Sequence, residues 1–122
     1  MLNRVTIMGR LVRDPELKKA GDSNVVNFSV AVERNYVDED GERPVDFLDC
    51  VAWRGAADFL CKYFGKGDMV IVDGSLQKRS YEAQDGSNRY VVEILADQIY
   101  FGQAKAKEQE KPQPTKKGNW KK

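Results

Sequence analysis

Hydrophobic residues recur at every second position in this chain, and that pattern admits few architectures. Val5, Ile7, Gly9 and Leu11 share one parity, with Arg4, Thr6, Met8 and Arg10 on the other. Val26, Phe28, Val30 and Val32 alternate in the same way with Asn27, Ser29, Ala31 and Glu33. Successive side chains of an extended chain point to opposite faces, so each run is a strand with one face for a core and one left over. A third such run spans about Asp46 to Arg54, and a fourth starts at Met69, with Val70, Val72, Gly74 and Leu76 on one face, and continues towards Tyr81. The last is expected from Arg89 to about Phe101.

Turn chemistry separates these runs. Asp14-Pro15-Glu16 ends the first, because proline cannot donate to a ladder and restricts its predecessor. Gly21-Asp22-Ser23 and Gln84-Asp85-Gly86-Ser87 are tight-turn sequences, and Asn35 to Pro44, centred on Asp40-Gly41, is an exposed loop. One segment breaks the period of two. Ala56, Ala57, Leu60, Cys61 and Phe64 recur at helical spacing, and Gly65-Lys66-Gly67 is expected to stop that helix. From Gln103 onward the chain is rich in Lys, Gln and Pro and too poor in apolar residues to offset the entropy of ordering. Residues 1–104 are therefore expected to form one domain and residues 105–122 a disordered basic tail. Three strands, one short helix and two strands make an all-β OB-fold, a five-stranded Greek-key barrel with the helix between strands three and four. Such barrels bind oligonucleotides on one sheet face and its flanking loops.

Composition narrows the function. A chain of 122 residues with 41% apolar content builds one modest core. No run reaches the roughly 18 apolar residues of a membrane span, and the start lacks an apolar signal region, so a cytoplasmic location is expected. There is no histidine, and Cys50 and Cys61 fit no zinc spacing, so both are expected as buried thiols, with no metal or cofactor. The net charge of +1 divides unevenly. Residues 105–122 hold seven Lys and two Glu, a net of +5, which leaves −4 on residues 1–104. Much of that deficit lies between Asp38 and Asp46, so the placement of charge, rather than its total, must serve any nucleic-acid partner.

The face left over by the third strand is unusual. Phe47 and Trp53 fall on one parity with Asp49 and Val51, while Leu48, Cys50 and Ala52 fall on the core side. Tyr36 and Tyr81 lie in or beside neighbouring strands, and Arg34, Arg54, Lys78 and Arg79 are close in sequence. Large rings outside a core with cations nearby suit a single-stranded nucleic acid, whose bases stack on any π-face while its phosphates meet Lys and Arg. Aromatic residues are also common in strands for packing alone, and single rings carry little weight; the set favours binding.

Taken together, Met1-Leu2-Asn3-Arg4-Val5, Gly9-Arg10-Leu11, Asp14-Pro15-Glu16, Asp46-Phe47, Val51-Ala52-Trp53-Arg54, Lys66-Gly67-Asp68, Val72-Asp73-Gly74-Ser75-Leu76, Arg79-Ser80-Tyr81-Glu82 and Asp85-Gly86 form a specific pattern. Over about residues 1–102 the chain resembles the bacterial and phage single-stranded DNA-binding proteins, most of all those of low-GC Gram-positive bacteria. The resemblance implies base stacking at Tyr36, Phe47, Trp53 and Tyr81 and backbone contacts at Arg4 and Arg79. Arg10, Arg34, Arg54 and Lys78 are added as phosphate contacts by neighbourhood. It further implies a homotetramer wrapped by single-stranded DNA, acting without catalysis in replication, recombination and repair in the bacterial cytoplasm at the nucleoid. Relatives usually end in an acidic, hydrophobic tip that recruits partner proteins, whereas Lys116 to Lys122 contains no acid. Two other classes stay open: an enzyme, for which no nucleophile–base pair or phosphate loop is visible, and a protein-interaction module, which suits the net −4 of residues 1–104.

Overall fold

The computed structural model describes residues 1–103. Six strands and one helix follow one another as β1 (Val5–Leu11), β2 (Lys18–Ala20), β3 (Ser23–Glu33), β4 (Val45–Trp53), α1 (Arg54–Tyr63), β5 (Met69–Glu82) and β6 (Asn88–Phe101). The expected tail lies outside the described residues. The strands are ordered β1-β5-β6-β4-β3-β2, and β1 also pairs with β3 through Arg10↔Ala31 and Leu11↔Val30. Five strands thus close on themselves in the order β1-β5-β6-β4-β3, as the OB-fold requires, with α1 between β4 and β5. All neighbours are antiparallel except β4 and β6. Gly9 makes the closure possible: a Cβ there would stand 2.2 Å from the carbonyl oxygen of Ala31.

The sixth strand, β2, was not anticipated. Lys18, Lys19 and Ala20 are all exposed, so this stretch has no hydrophobic alternation to betray it. It pairs with Ser23–Val25 across the turn at Gly21-Asp22 and forms the outer edge of the sheet. Lysines on a short edge strand discourage pairing with another chain.

The core draws on the expected faces of β1, β3, β4 and β5; β6, for which no face was expected, adds Ile94 and Ile99. Leu11, Val26, Phe28, Val30, Cys50, Ala52, Val70, Val72, Ile94 and Ile99 pack with Ala57, Leu60 and Phe64 from the helical segment. Leu60, Val26, Val30, Val70 and Val72 have no exposed surface, and full burial of each such side chain contributes about 1.5–3 kcal/mol. Phe64 also stacks on Phe101, with ring centroids 4.9 Å apart, and so ties the end of the helical segment to β6. Leu60→Ala would open a cavity where helix and barrel meet, at a cost of about 2–5 kcal/mol.

Several local expectations are corrected. The helix does not end on a left-handed glycine: Phe64 leaves it in extended conformation, with its N–H on the Leu60 carbonyl, because its ring is drawn into the core. Gly67, at φ +88°, serves the following turn instead. Leu76 leaves the core, since β5 and β6 run on as a hairpin beyond the barrel and little packs against them there. Cys50 is buried, its thiol pushed up to about 12, first by burial and then by Asp49 and Glu93. Cys61 is only half-buried, and neither cysteine forms a disulfide.

Candidate nucleic-acid interface

Pairing register fixes which side chains share a face, because directly opposed residues on neighbouring strands point the same way. Phe47, Asp49, Val51 and Trp53 oppose Ala31, Ser29, Asn27 and Val25 of β3, on the outside of the barrel. Val51 in turn opposes Leu95 of β6, and Leu95 opposes Ser75 of β5. Outward in steps of two along the hairpin, the same face carries Gln77 with Glu93, Arg79 with Val91, and Tyr81 with Arg89. Phe47, Trp53 and Tyr81 therefore occupy one continuous outer face although they come from separate strands.

These rings are open. Phe47 is 65% exposed, Tyr36 52%, Tyr81 46% and Trp53 41%, and none has a ring partner among the described residues. The strand rise puts Phe47 and Trp53 about 20 Å apart, room for several stacked bases between them. Val51, expected beside them as an outer residue, keeps that parity but is buried. Tyr36 lies in the loop between β3 and β4, at the foot of a turn organised by Asp38, whose side chain accepts from the Asp40 and Glu42 N–H groups. Trp53 is the last residue of β4, and the chain enters α1 through Arg54 in left-handed conformation, φ +56°. Such a conformation in a non-glycine residue stores about 1–3 kcal/mol, here directly beside the tryptophan.

The expected cations are placed very differently from one another. Arg10 shares a row with Ala31 and Phe47 on the outer face; it donates to the Gly67 carbonyl at 2.9 Å and has no carboxylate partner among the described residues. Arg79 shares the face of Tyr81 but pairs with Glu93 at 3.3 Å. Arg54 donates to the Ser23 hydroxyl at 3.2 Å. Arg4 is held by two carboxylates, Asp73 and Asp97, each at 2.7 Å. The Asp73 carboxyl, which also accepts from the Thr6 hydroxyl at 2.8 Å, is drawn below its ordinary range by Thr6 first and Arg4 second. Little of the Arg4 charge is left for a phosphate. Arg34 is likewise bound to Asp46.

Lys78 lies on the opposite face of the hairpin from Tyr81. It opposes Val92 and shares its parity with Leu76, Ser80 and Tyr90, opposite to Tyr81, and its Nζ sits 4.5 Å from the centre of the Tyr90 ring. Closeness to Tyr81 in sequence was a poor guide, because adjacent residues of a strand face apart.

A cation outside the expected set shares the outer face with Trp53. Lys18 opposes Val25, which opposes Trp53, so Lys18, Val25 and Trp53 form one outer row across three strands. Lys18 is exposed and makes no ion pair among the described residues. Only recognition of β2 could have revealed it. Among the described residues no group of His, Cys, Asp and Glu is arranged to hold a metal ion, and no helix is long and apolar enough to cross a membrane.

Comparison with known proteins gives the family of the chain. Residues 2–102 match the model of the single-strand binding protein family. The chain is 46% identical to a single-stranded DNA-binding protein of Oceanobacillus iheyensis, over 86% of this chain and 66% of the relative. It is 42% identical to single-stranded DNA-binding protein A of Bacillus subtilis, over 83% of this chain and 59% of the relative. A relative from Staphylococcus aureus, single-stranded DNA-binding protein 1, is 43% identical over 83% of this chain and 65% of its own length. The chain thus spans somewhat less than two thirds of the length of the curated relatives it matches.

Proposed function

The chain belongs to the single-strand binding protein family, and on that premise we propose that it binds single-stranded DNA with little sequence preference. Bases stack on Phe47, Trp53, Tyr81 and Tyr36, and the phosphates are met by Arg10, Lys18 and, where Glu93 yields it, Arg79. The observation that carries this reading is the register-linked outer face, on which three exposed rings without ring partners lie along one continuous sheet. Stacking on a ring is indifferent to base identity, and phosphate contacts carry no sequence information, so the binding is broad. A duplex buries its base faces and is a poor ligand for such a surface.

In this reading residues 1–104 are the DNA-binding domain, four copies assemble, and one strand wraps around several barrels. The protein protects exposed single strands during replication, recombination and repair in the bacterial cytoplasm, without catalysing a reaction of its own. Titration with oligo(dT) tests the proposal through tryptophan fluorescence, since the chain has two tryptophans and one of them is Trp53. Strong quenching with the single strand and little with a duplex of equal length is expected. Equal affinity for both would overturn it, and an absence of quenching and binding alike would favour a protein-interaction module.

A further inference from the structure

Arg34, Asp46 and Tyr36 form a chain of contacts at the base of the β3–β4 loop. The Arg34 guanidinium grips Asp46 with two donors, Nε to Oδ2 at 3.0 Å and Nη2 to Oδ1 at 2.9 Å. Its remaining terminal nitrogen, Nη1, donates to the Tyr36 hydroxyl oxygen at 3.0 Å. The main chain of Arg34 is fixed as well: its N–H donates to the Pro44 carbonyl at 2.8 Å, and its own carbonyl accepts from Arg43 Nη1 at 3.2 Å. A planar guanidinium clamped on one side presents its other edge in a set direction.

We propose that Arg34 is a positioning residue: locked by Asp46, it holds the Tyr36 hydroxyl and so presets the Tyr36 ring as a platform for a base. The proposal rests on the stacking role of Tyr36 given above. An exposed ring on a loop would otherwise lose rotamer freedom each time a base stacked on it, and presetting the ring removes that cost from binding. The alternative, direct contact of Arg34 with phosphate, asks for a charge that Asp46 already neutralises. The mutual attraction is visible in both groups: Asp46 is drawn below the usual carboxylate range by its hydrogen bonds from Arg34, and Arg34 is raised above its ordinary value, by Asp46 first and Tyr36 second. The pair is half-exposed and adds little stability; what it supplies is direction.

Oligo(dT) titration at several salt concentrations tests this with Tyr36→Phe, Tyr36→Ala and the charge-neutral pair Arg34→Met/Asp46→Asn, the last in both the parent and the Tyr36→Phe background. Tyr36→Phe and the double replacement should each weaken binding about three- to tenfold, and Tyr36→Ala more than either, within the range for loss of a stacking ring. Combined, Tyr36→Phe and the double replacement should cost no more than one of them alone, because both break the same contact. The slope of log affinity against log salt should stay as in the parent. A further loss in the Tyr36→Phe background, with a slope smaller by about 0.7, would make Arg34 a phosphate contact and overturn the proposal. Parent affinity for Tyr36→Phe beside a weakened Tyr36→Ala would also overturn it while leaving stacking intact. Parent affinity for Tyr36→Ala would instead remove the stacking role itself.

Discussion

Lys18 and Trp53 stand in one row on the outer face of the sheet, on either side of Val25, although they lie far apart in the chain. Two strand spacings separate them, about 10 Å, which brings the flexible lysine stem within reach of the backbone of a strand whose base stacks on the indole. Lys78, by contrast, lies near Tyr81 in sequence and on the opposite side of the hairpin. Lys18→Ala should therefore weaken oligo(dT) binding at low salt and reduce the slope of log affinity against log salt by about 0.7. Lys78→Ala should change neither quantity, as a salt series on the two variants can check.

Trp53→Ala removes a ring that is already exposed and has no ring partner among the described residues. It should weaken single-strand binding by about 1–3 kcal/mol and abolish most of the fluorescence quenching, with the melting curve little changed. Unchanged affinity in a folded protein would show that bases do not stack there.

Asp49 puts a carboxylate on the same face between Phe47 and Trp53, where it accepts from the Ser29 hydroxyl at 2.8 Å. It is exposed and repels any phosphate that passes between the rings. Asp49→Asn keeps the acceptor for Ser29 and removes the charge, so single-strand binding should tighten by up to about 1 kcal/mol, most at low salt. Weaker binding would mean that the strand does not cross this part of the face.

Acid should lower the protein's stability modestly over a defined range. Three aspartates are held below their ordinary values: Asp46 by Arg34, Asp73 by Thr6 and then Arg4, and Asp85 by Ser87. A carboxylate lowered in the folded state adds stability that is complete above the unfolded value, near 4, and is lost as pH falls through the lowered value. There is no histidine to titrate near neutrality. Melting temperature should be nearly flat from about pH 6 to 8 and fall below about pH 4. The fall should be smaller in Asp46→Asn, which has already lost one of these contributions.

Much of this protein was legible from local patterns. Alternation of Val26, Phe28, Val30 and Val32 against polar neighbours, and the helical spacing of Ala57, Leu60 and Phe64, determine strand, helix and core side, since each depends only on backbone periods of 2 and 3.6 residues. The exposed rings Phe47 and Trp53 followed from the same parity. Tertiary structure alone decided the rest, because pairing register links residues that no local period connects. It carried Tyr81 onto the face of Phe47 and Trp53 through Val51, Leu95 and Ser75, and it sent Lys78 to the other side. Register also made a strand of the unpatterned Lys18–Ala20 and set Lys18 level with Trp53. Charge was settled in the same way: Arg4, Arg10 and Arg34 look alike in sequence, yet only the folded chain gives carboxylate partners to Arg4 and Arg34 and leaves Arg10 without one among the described residues. The identity of an arginine says only that it is charged; the strands folded beside it decide whether that charge is already spoken for.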